Sequence, residues 1–132
     1  MKLIDKTVIE PLYRAAKASE RKRSHYLLHD SHQDKVQRLL IGLVKGSYVE
    51  PHYHAQPHQW EMFTVLDGCI RLNLHSSDGS IVRSVFAGPA ESVVSVELKP
   101  MDIHSLECIS DKALILEVKE GPFDSEQPKS FL

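Results

Sequence analysis

Long apolar segments are absent from the sequence. No stretch approaches the roughly 20 apolar residues that a helix needs to cross a bilayer. The first residues, MKLIDKTVIEPLYRAAK, also lack the uninterrupted apolar run that characterises an export signal. We therefore expect a cytoplasmic protein without a membrane partner.

Neither sign of charge is in excess, and cysteine is scarce. The formal net charge is −2, which gives no broad attraction for nucleic acid and disfavours a nucleic-acid partner. The only two cysteines are Cys69 and Cys108. We expect both to be packed free thiols, because disulfides are rare in a reducing compartment.

Histidine, in contrast, is abundant. The 132 residues include eight histidines, and three of these lie within residues 52 to 58. The hydrophobic fraction of 42% is typical of a soluble globular protein. A chain of this length supports one hydrophobic core, so any activity must belong to a single domain or to an oligomer of it. The histidines near residue 52 are therefore the most informative feature of the composition.

The chain changes character at Val36. Before it, residues 5 to 20 predict a short amphipathic helix with Asp5 as N-cap, and the polar residues 24 to 35 predict a loop with at most a turn of helix. After it, short apolar runs alternate with turn signals, which predicts an all-β sandwich or barrel. We divide the single domain into an N-terminal helix and loop packed on the barrel (1–35), the barrel (36–122) and a surface tail (123–132).

Segments of the barrel predict different kinds of strand. Residues 70–82 predict a hairpin, because apolar and polar residues alternate up to a Ser-Asp-Gly turn. Residues 93–98 and 113–118 are apolar on both faces and predict central strands, whereas residues 36–44 fit either a strand or a helix. Edge strands of such a sheet favour a homodimer through sheet pairing.

Four residues form a candidate metal site. His52 and His54 are two apart on a predicted strand, so both imidazoles project from the same face with Cα atoms roughly 6.5–7 Å apart. Glu61 begins the next predicted strand, and His104 lies on the buried face of another. Two exposed histidines would explain His52 and His54 alone, but the addition of Glu61 and His104 favours a shared metal ion.

The ligand types narrow the choice of metal. Three imidazoles and one carboxylate suit a divalent transition metal such as Fe, Mn, Ni, Cu or Zn. On an octahedral ion these four ligands would leave two positions for water or a small-molecule substrate, which would permit catalysis.

Five further residues are candidates for substrate contact. Aromatic rings can stack on a sugar, and a guanidinium can bind a phosphate or carboxylate, although packing is an alternative role for the aromatics. His58 is equally well explained as a solvent-facing loop histidine. The candidates are His58, Tyr48, Trp60, Phe63 and Arg38.

Other charged residues have more ordinary explanations. The basic run from Arg21 to Arg23 fits a solvated helix end better than an anion site. We expect His25, His29 and His32 to be exposed loop histidines rather than a second metal site or part of a pocket mouth. An inward orientation of Glu117 is the less favoured interpretation. In that orientation the buried carboxylate would need a cationic neighbour such as Lys119.

The candidate ligands resemble the first cupin motif, G-x5-H-x-H-x(3,4)-E-x6-G. Gly46, His52, His54, Glu61 and Gly68 occupy its positions, with six residues rather than three or four before the glutamate. The second motif is represented by Pro100 and His104, with Met101 where a glycine is usual and Cys108 where an asparagine is usual. The resemblance implies a double-stranded β-helix, two antiparallel sheets around a central pocket, preceded here by a short helix.

Longer segments are similar to the WbuC-type cupin-fold metalloproteins. They are GSYVEPHYHAQPHQWEMFTVLDG, PMDIHSLECI, EVKEGPFD and RSHYLLHDSHQDKVQRLL. This resemblance implies a setting in bacterial surface-polysaccharide biosynthesis. We expect a metal-dependent enzyme, isomerase- or epimerase-like or an oxygenase, that acts on a small polar, sugar-derived substrate. A non-catalytic, metal-stabilised sugar-binding or regulatory module is the alternative.

Overall fold

The computed structural model describes residues 1–124, 126 and 129–132. One helix precedes ten strands in this part of the chain. In order they are α1 (Lys6–Ala18), β1 (Arg23–Leu27), β2 (Val36–Val44), β3 (Tyr48–Tyr53), β4 (Glu61–Asp67), β5 (Ile70–His75), β6 (Ile81–Ala87), β7 (Ser95–Leu98), β8 (Ile103–Cys108), β9 (Lys112–Glu120) and β10 (Ser130–Phe131).

The strands form two antiparallel sheets of five strands each. One sheet has the order β1-β2-β9-β4-β7 and the other the order β10-β3-β8-β5-β6. The main hydrophobic core lies between them, because apolar side chains from both sheets face the interior. This arrangement confirms the predicted all-β fold with a short N-terminal helix.

Strand β2 is apolar on both faces because each face is covered. Leu39 and Leu43 belong to the core between the sheets, whereas Leu40 packs with Leu12 of helix α1. A side chain at Gly42 would bring a Cβ within 2.9 Å of Leu12 Cγ, so the helix lies close on the outer face. Continuous burial therefore explains why the sequence of β2 also fitted a helix.

Helix α1 matches its prediction within two residues at each end. Asp5 is the N-cap, and its side chain accepts a hydrogen bond from the backbone N–H of Thr7 at 2.9 Å. Leu12 and Ala16 are the buried residues of its inner face. None of the described helices is long and apolar enough to cross a membrane.

The predicted loop between residues 24 and 35 is wrong at its start. Residues 23–27 form β1, which pairs antiparallel with β2 from Arg23 opposite Leu43 to Leu27 opposite Leu39. The strand lacks a hydrophobic alternation because its inward residues include Arg23 and His25, which line a cavity. The segment before Val36 thus contributes a strand to the barrel instead of only packing on it.

The C-terminal segment also contributes to a sheet. Ser130 and Phe131 pair with Tyr53 and His52 of β3, so the tail adds an edge strand and does not merely lie along the surface. A two-residue strand has no detectable periodicity, which is why the sequence did not indicate it.

Three other strand predictions have definite outcomes. The hairpin is confirmed, since β5 and β6 pair from Ile70 opposite Ala87 onward. The central position of β9 is confirmed by its place between β2 and β4. The central position of residues 93–98 is wrong: β7 lies at a sheet edge, and Val94 just before it is exposed, so apolar content on both faces did not mean burial on both faces.

The two glycines of the first motif occupy turns that require them. Gly46 has φ +90° and Gly68 has φ +75°, in the left-handed region that strongly favours glycine. A Cβ at Gly68 would lie 2.1 Å from the carbonyl oxygen of Lys112, so that turn also excludes any side chain by contact.

Candidate metal and ligand site

The fold brings the four candidate ligands together. His52 lies on β3, His54 just after its end, Glu61 at the start of β4 and His104 on β8. One ligand atom from each lies within 4.8 Å of those of the other three. We call these four residues the histidine cluster.

Strand pairing and a bulge explain this convergence. His52 stands opposite His104 in the pairing of β3 with β8, and the register shifts between Val49 and His52. Such a bulge re-aims side chains, and it allows Val49 and His52, three residues apart, both to line the interior. Glu61 reaches the same point from the opposite sheet.

The contacts within the histidine cluster are short and buried. Glu61 Oε1 lies 2.7 Å from Nε2 of His54 and 3.4 Å from Nε2 of His104. The ring centroids of His52 and His104 are 4.3 Å apart. His52, Glu61 and His104 are 6%, 5% and 2% exposed, so the ligand atoms are largely removed from solvent.

Backbone hydrogen bonds set the orientation of two of the rings. Nδ1 of His52 donates to the carbonyl oxygen of Glu50 at 2.8 Å, and Nδ1 of His104 donates to the carbonyl oxygen of Asp102 at 2.9 Å. A carbonyl oxygen only accepts, so in each neutral ring the proton is on Nδ1 and Nε2 keeps its lone pair. Both Nε2 atoms are thereby prepared to bind a cation.

Unsatisfied polar atoms show that a divalent metal fits this donor set. Glu61 Oε1 and His104 Nε2 are buried, and apart from the contacts within the histidine cluster neither atom has a hydrogen-bond partner in the described part of the chain. Leaving such atoms unpaired costs about 1–3 kcal/mol each, a cost that coordination would remove. Donors on opposite sides of a transition-metal ion lie about 4 Å apart, so the observed spread requires adjustment of less than about 1 Å.

The charge states of the cluster favour cation binding. Burial, followed by the nearby His104, lowers the pKa of His52 to about 4, so this ring is neutral at pH 7. Burial alone would raise the pKa of Glu61, but its contacts with His104 and His54 outweigh burial and lower it. A neutral imidazole and an ionised carboxylate are the forms in which these two kinds of side chain bind metals.

The histidine cluster opens into a cavity of 570 Å³ between the two sheets. This volume is within the usual range for small-molecule sites, about 300–1,000 Å³. Leu39, Ile41, Phe63 and Ile115 form part of its apolar wall. The cavity can therefore hold a small organic molecule in contact with the cluster.

Two ionisable residues from β9 lie in the wall beside the cluster. Glu117 is buried, and its Oε2 lies 3.6 Å from Nζ of Lys119. Burial, followed by the charge of Glu61, raises the pKa of Glu117 to about 8. The inward orientation of Glu117 is thus the observed one, with the cationic neighbour that a buried carboxylate needs.

Of the predicted substrate residues, only Phe63 lies in the wall of the main cavity. Trp60 lines a smaller adjacent cleft of 20 Å³ that also touches His54 and Glu61. Three candidates, Tyr48, His58 and Arg38, line neither space. Arg38 is on the face of β2 that points away from the cavity, and its Nη2 donates to the carbonyl oxygen of Leu28 at 3.4 Å.

Several cavity residues were not expected from the sequence. The histidines of the predicted loop line the wall, and His29 is buried there, not exposed. Its Nδ1 accepts from the backbone N–H of Arg38 at 3.0 Å, while its Nε2 is buried without a partner among the described residues. The other unexpected wall residues are Arg21, Arg23, His25, His32 and Lys129.

Assigning residues 23–27 to a strand would have placed some of these unexpected residues in the cavity wall. Arg23, His25 and Leu27 alternate with residues of the opposite face, which is the spacing of one strand face. Lys129 carries no comparable signal. The two cysteines, Cys69 and Cys108, are free thiols, as predicted.

Comparison with solved structures shows that the fold is a cupin fold. A cupin superfamily protein from Desulfitobacterium hafniense has a TM-score of 0.59 and 16% identity, covering 83% of this chain and 87% of that chain. KdgF from Halomonas sp. has a TM-score of 0.61 and 10% identity, covering 79% and 82% of the two chains. These values confirm the predicted fold class.

A longer protein contains a domain of the same fold. CapF from Staphylococcus aureus, described as a capsular polysaccharide assembling protein, has a TM-score of 0.66 and 17% identity over 83% of this chain. The match covers 32% of that chain, so this sequence spans about a third of the length of CapF.

Sequence comparison gives a family but no described activity. No curated protein matches the chain. The model of one protein family, described as a domain of unknown function (DUF6016), matches residues 4–86, which is more than half of the sequence. The chain therefore belongs to the DUF6016 family and adopts the cupin fold.

Proposed function

We propose that this protein is a metal-dependent enzyme that acts on a small polar, sugar-derived molecule. The observation that carries the proposal is the histidine cluster, whose four ligand atoms lie within 4.8 Å of one another in the wall of a cavity of 570 Å³. Nε2 of His104 is buried there without a hydrogen-bond partner among the described residues, which is costly unless the atom serves a bound group.

The chain would hold the metal through Nε2 of His52, His54 and His104 and a carboxylate oxygen of Glu61. When bound, a divalent transition metal supplies a Lewis acid that polarises a carbonyl or hydroxyl oxygen of the substrate. The apolar wall around Phe63 would pack against the substrate and exclude water. Glu117 and Lys119 lie in the same wall, where their side chains can exchange a proton with a bound molecule.

These groups suit isomerisation or epimerisation, in which a proton leaves and returns next to a polarised carbonyl. An oxygenase reaction is the second enzymatic candidate if the metal at these four ligands is Fe(II). The setting in surface-polysaccharide biosynthesis is supported by the sequence resemblance to the WbuC-type proteins. It is compatible with the fold that the chain shares with CapF, a capsular polysaccharide assembling protein.

Metal content tests the first half of the proposal. We expect the purified protein to retain about one equivalent of transition metal per chain, and the double variant His52→Ala/His104→Ala to retain almost none. His58→Ala is the control, because His58 lies outside the cluster and both cavities. Elemental analysis gives the metal content, and circular dichroism identifies variants that fail to fold. Equal metal content in the double variant and the control would refute the site.

Hydrogen exchange tests the second half. The metal-loaded protein in D₂O is incubated with a panel of neutral and anionic sugars and sugar phosphates, and deuterium incorporation at carbon is followed by NMR. We expect incorporation or rearrangement of at least one compound, and loss of that activity after removal of the metal by a chelator. Saturable binding without exchange or product would instead identify the non-catalytic sugar-binding module.

A further inference from the structure

Three basic side chains from distant parts of the sequence meet at the wall of the cavity. Arg21 follows helix α1, Arg23 begins β1, and Lys129 immediately precedes β10. All three line the cavity that contains the histidine cluster. We call them the basic rim.

The basic rim has no carboxylate partner among the residues that the structure describes. Across residues 1–124, 126 and 129–132, no acidic oxygen lies within 4.0 Å of a charged nitrogen of Arg21, Arg23 or Lys129. Arg23 Nη1 donates one hydrogen bond, to the carbonyl oxygen of Tyr48 at 3.3 Å. A guanidinium has five N–H donors, so most of the capacity of Arg23 remains available.

The three cations also act on one another. Burial, followed by the charges of Arg23 and Arg21, lowers the pKa of Lys129, and burial followed by Arg21 lowers the pKa of Arg23. Partial burial of the His25 ring, then Arg23 and Arg21, lowers the pKa of His25 to about 4, so the ring remains neutral beside them. Clustered positive charge without a carboxylate partner among the described residues is unfavourable, and an anion among these groups would relieve it.

The chain keeps the basic rim in place through its backbone. Ser47 Oγ donates to the carbonyl oxygen of Arg21 at 3.0 Å, and the N–H of Val44 donates to the carbonyl oxygen of Lys22 at 3.1 Å. Lys22, between the two arginines, is not part of the cavity wall. The sequence thus presents alternate basic residues to the interior and the intervening one to the outside.

We propose that the basic rim is an anion-binding subsite, and that the ligand of this cavity is a small organic molecule carrying a phosphate or carboxylate group. Guanidinium groups bind both kinds of oxyanion through paired N–H donors. A concave cavity with apolar walls strengthens the attraction, because field lines are focused within it. This inference deepens the proposed function and rests on it, since the same molecule would reach the histidine cluster.

Lys129 is placed to act between the two regions. It immediately precedes β10 and lines the same cavity as His52, His54, Glu61 and His104. The tail strand β10 holds it there by pairing with β3, the strand that carries His52. An anionic group on the basic rim would therefore bring the rest of a small ligand toward the histidine cluster.

The test uses inorganic phosphate, glucuronate and neutral glucose as probes, with full-length protein after removal of metal. Binding is followed by NMR titration, so that phosphate cannot bind through a metal ion. We expect saturable binding of phosphate or glucuronate, about tenfold or more weakening in Arg23→Gln and in Lys129→Gln, and no saturable binding of glucose. The response to phosphate or to glucuronate identifies which oxyanion the rim prefers.

Lys22→Gln is the matched control, because it removes the same charge beside Arg23 but outside the cavity wall. We expect this variant to bind the anions as the wild type does. The proposal is overturned if neither anion binds the wild type, or if Lys22→Gln weakens binding as much as Arg23→Gln and Lys129→Gln. Anion binding by a protein that never retains metal would count against the enzyme function alone, and metal retention without anion binding would count against the subsite alone.

Discussion

The histidine cluster and the basic rim belong to one cavity but are held in different ways. Each ring of His52 and His104 is fixed by a hydrogen bond to a backbone carbonyl, and both rings are almost fully buried on paired strands. Arg21 and Lys129, in contrast, have no side-chain hydrogen bond to the described residues, and the side chain of Arg23 has one. Donors held at fixed distances suit a metal ion, whereas long side chains with several N–H donors suit an anion whose position varies with the ligand.

Replacing the single carboxylate of the histidine cluster should have the largest effect, because it should weaken metal binding while anion binding at the basic rim persists. Glu61→Gln keeps the shape of the side chain but removes the only negative ligand, so we expect the affinity for metal to fall by at least about 100-fold. Anion binding by the basic rim should persist, because no rim cation forms an ion pair with Glu61. Elemental analysis after dialysis and the NMR titration with phosphate measure the two properties separately.

Glu97→Gln provides the control for charge. Glu97 is exposed on β7, where it stands opposite Met62 of the strand that carries Glu61. Removal of this carboxylate should leave metal affinity within about twofold of the wild type, because exposed charges are well screened. If Glu61→Gln retained metal as well as Glu97→Gln does, the cluster would not be the metal site.

Added salt should weaken anion binding at the basic rim more than metal binding at the histidine cluster, and this difference should be smaller than the effect of Glu61→Gln. The Debye length falls from about 30 Å at 0.01 M to about 3 Å at 1 M salt, so we expect anion affinity at the basic rim to weaken by about tenfold over this range. Metal retention should change by less than about twofold, because the buried cluster is poorly screened. The measurement is a pair of titrations in sodium chloride, phosphate binding to the metal-free protein and metal content of the loaded one. Equal salt dependence of the two would contradict the difference in burial.

The sequence predicted the histidine cluster because each ligand could be assigned to a strand face from its immediate neighbours. Equivalent positions on a strand are two residues apart, so His52 and His54 were expected on one face, and strand positions also indicated Glu61 at the start of a strand and His104 on a buried face. Residues 93–98 were misplaced for a different reason: apolar content indicates a strand but not which strands will flank it, and β7 lies at a sheet edge.

The basic rim depends on features that local patterns do not contain. Arg21 and Arg23 follow a helix and resemble its solvated end, and only the pairing of β1 with β2 turns them inward. Lys129 reaches the cavity through a strand of two residues, Ser130–Phe131, whose partner lies more than seventy positions earlier. Substrate residues chosen by sequence proximity to the histidines, such as Tyr48 and His58, consequently lie outside the cavity wall.

The smallest expected effect concerns the turn at Met101, which lies next to the histidine cluster. Met101 has φ +74°, in the left-handed region, at the position where the second cupin motif usually has glycine. Its backbone N–H donates to the carbonyl oxygen of His54 at 2.8 Å, so this strained residue helps to fix the end of β3. The left-handed conformation costs a residue with a side chain about 1–2 kcal/mol, whereas glycine loses roughly 0.5–1 kcal/mol through the greater freedom of its unfolded chain.

Met101→Gly should therefore raise the free energy of unfolding by about 0.5 kcal/mol, since relief of strain slightly exceeds the entropic cost. Little packing is lost, because the Met101 side chain is 58% exposed. Met101→Ala is the control: it removes the same exposed atoms but keeps the Cβ that makes the conformation costly. Urea unfolding of the three metal-free proteins measures the difference. A Met101→Gly protein no more stable than Met101→Ala would mean that the strain of the left-handed turn does not exceed the entropic cost of glycine at this position.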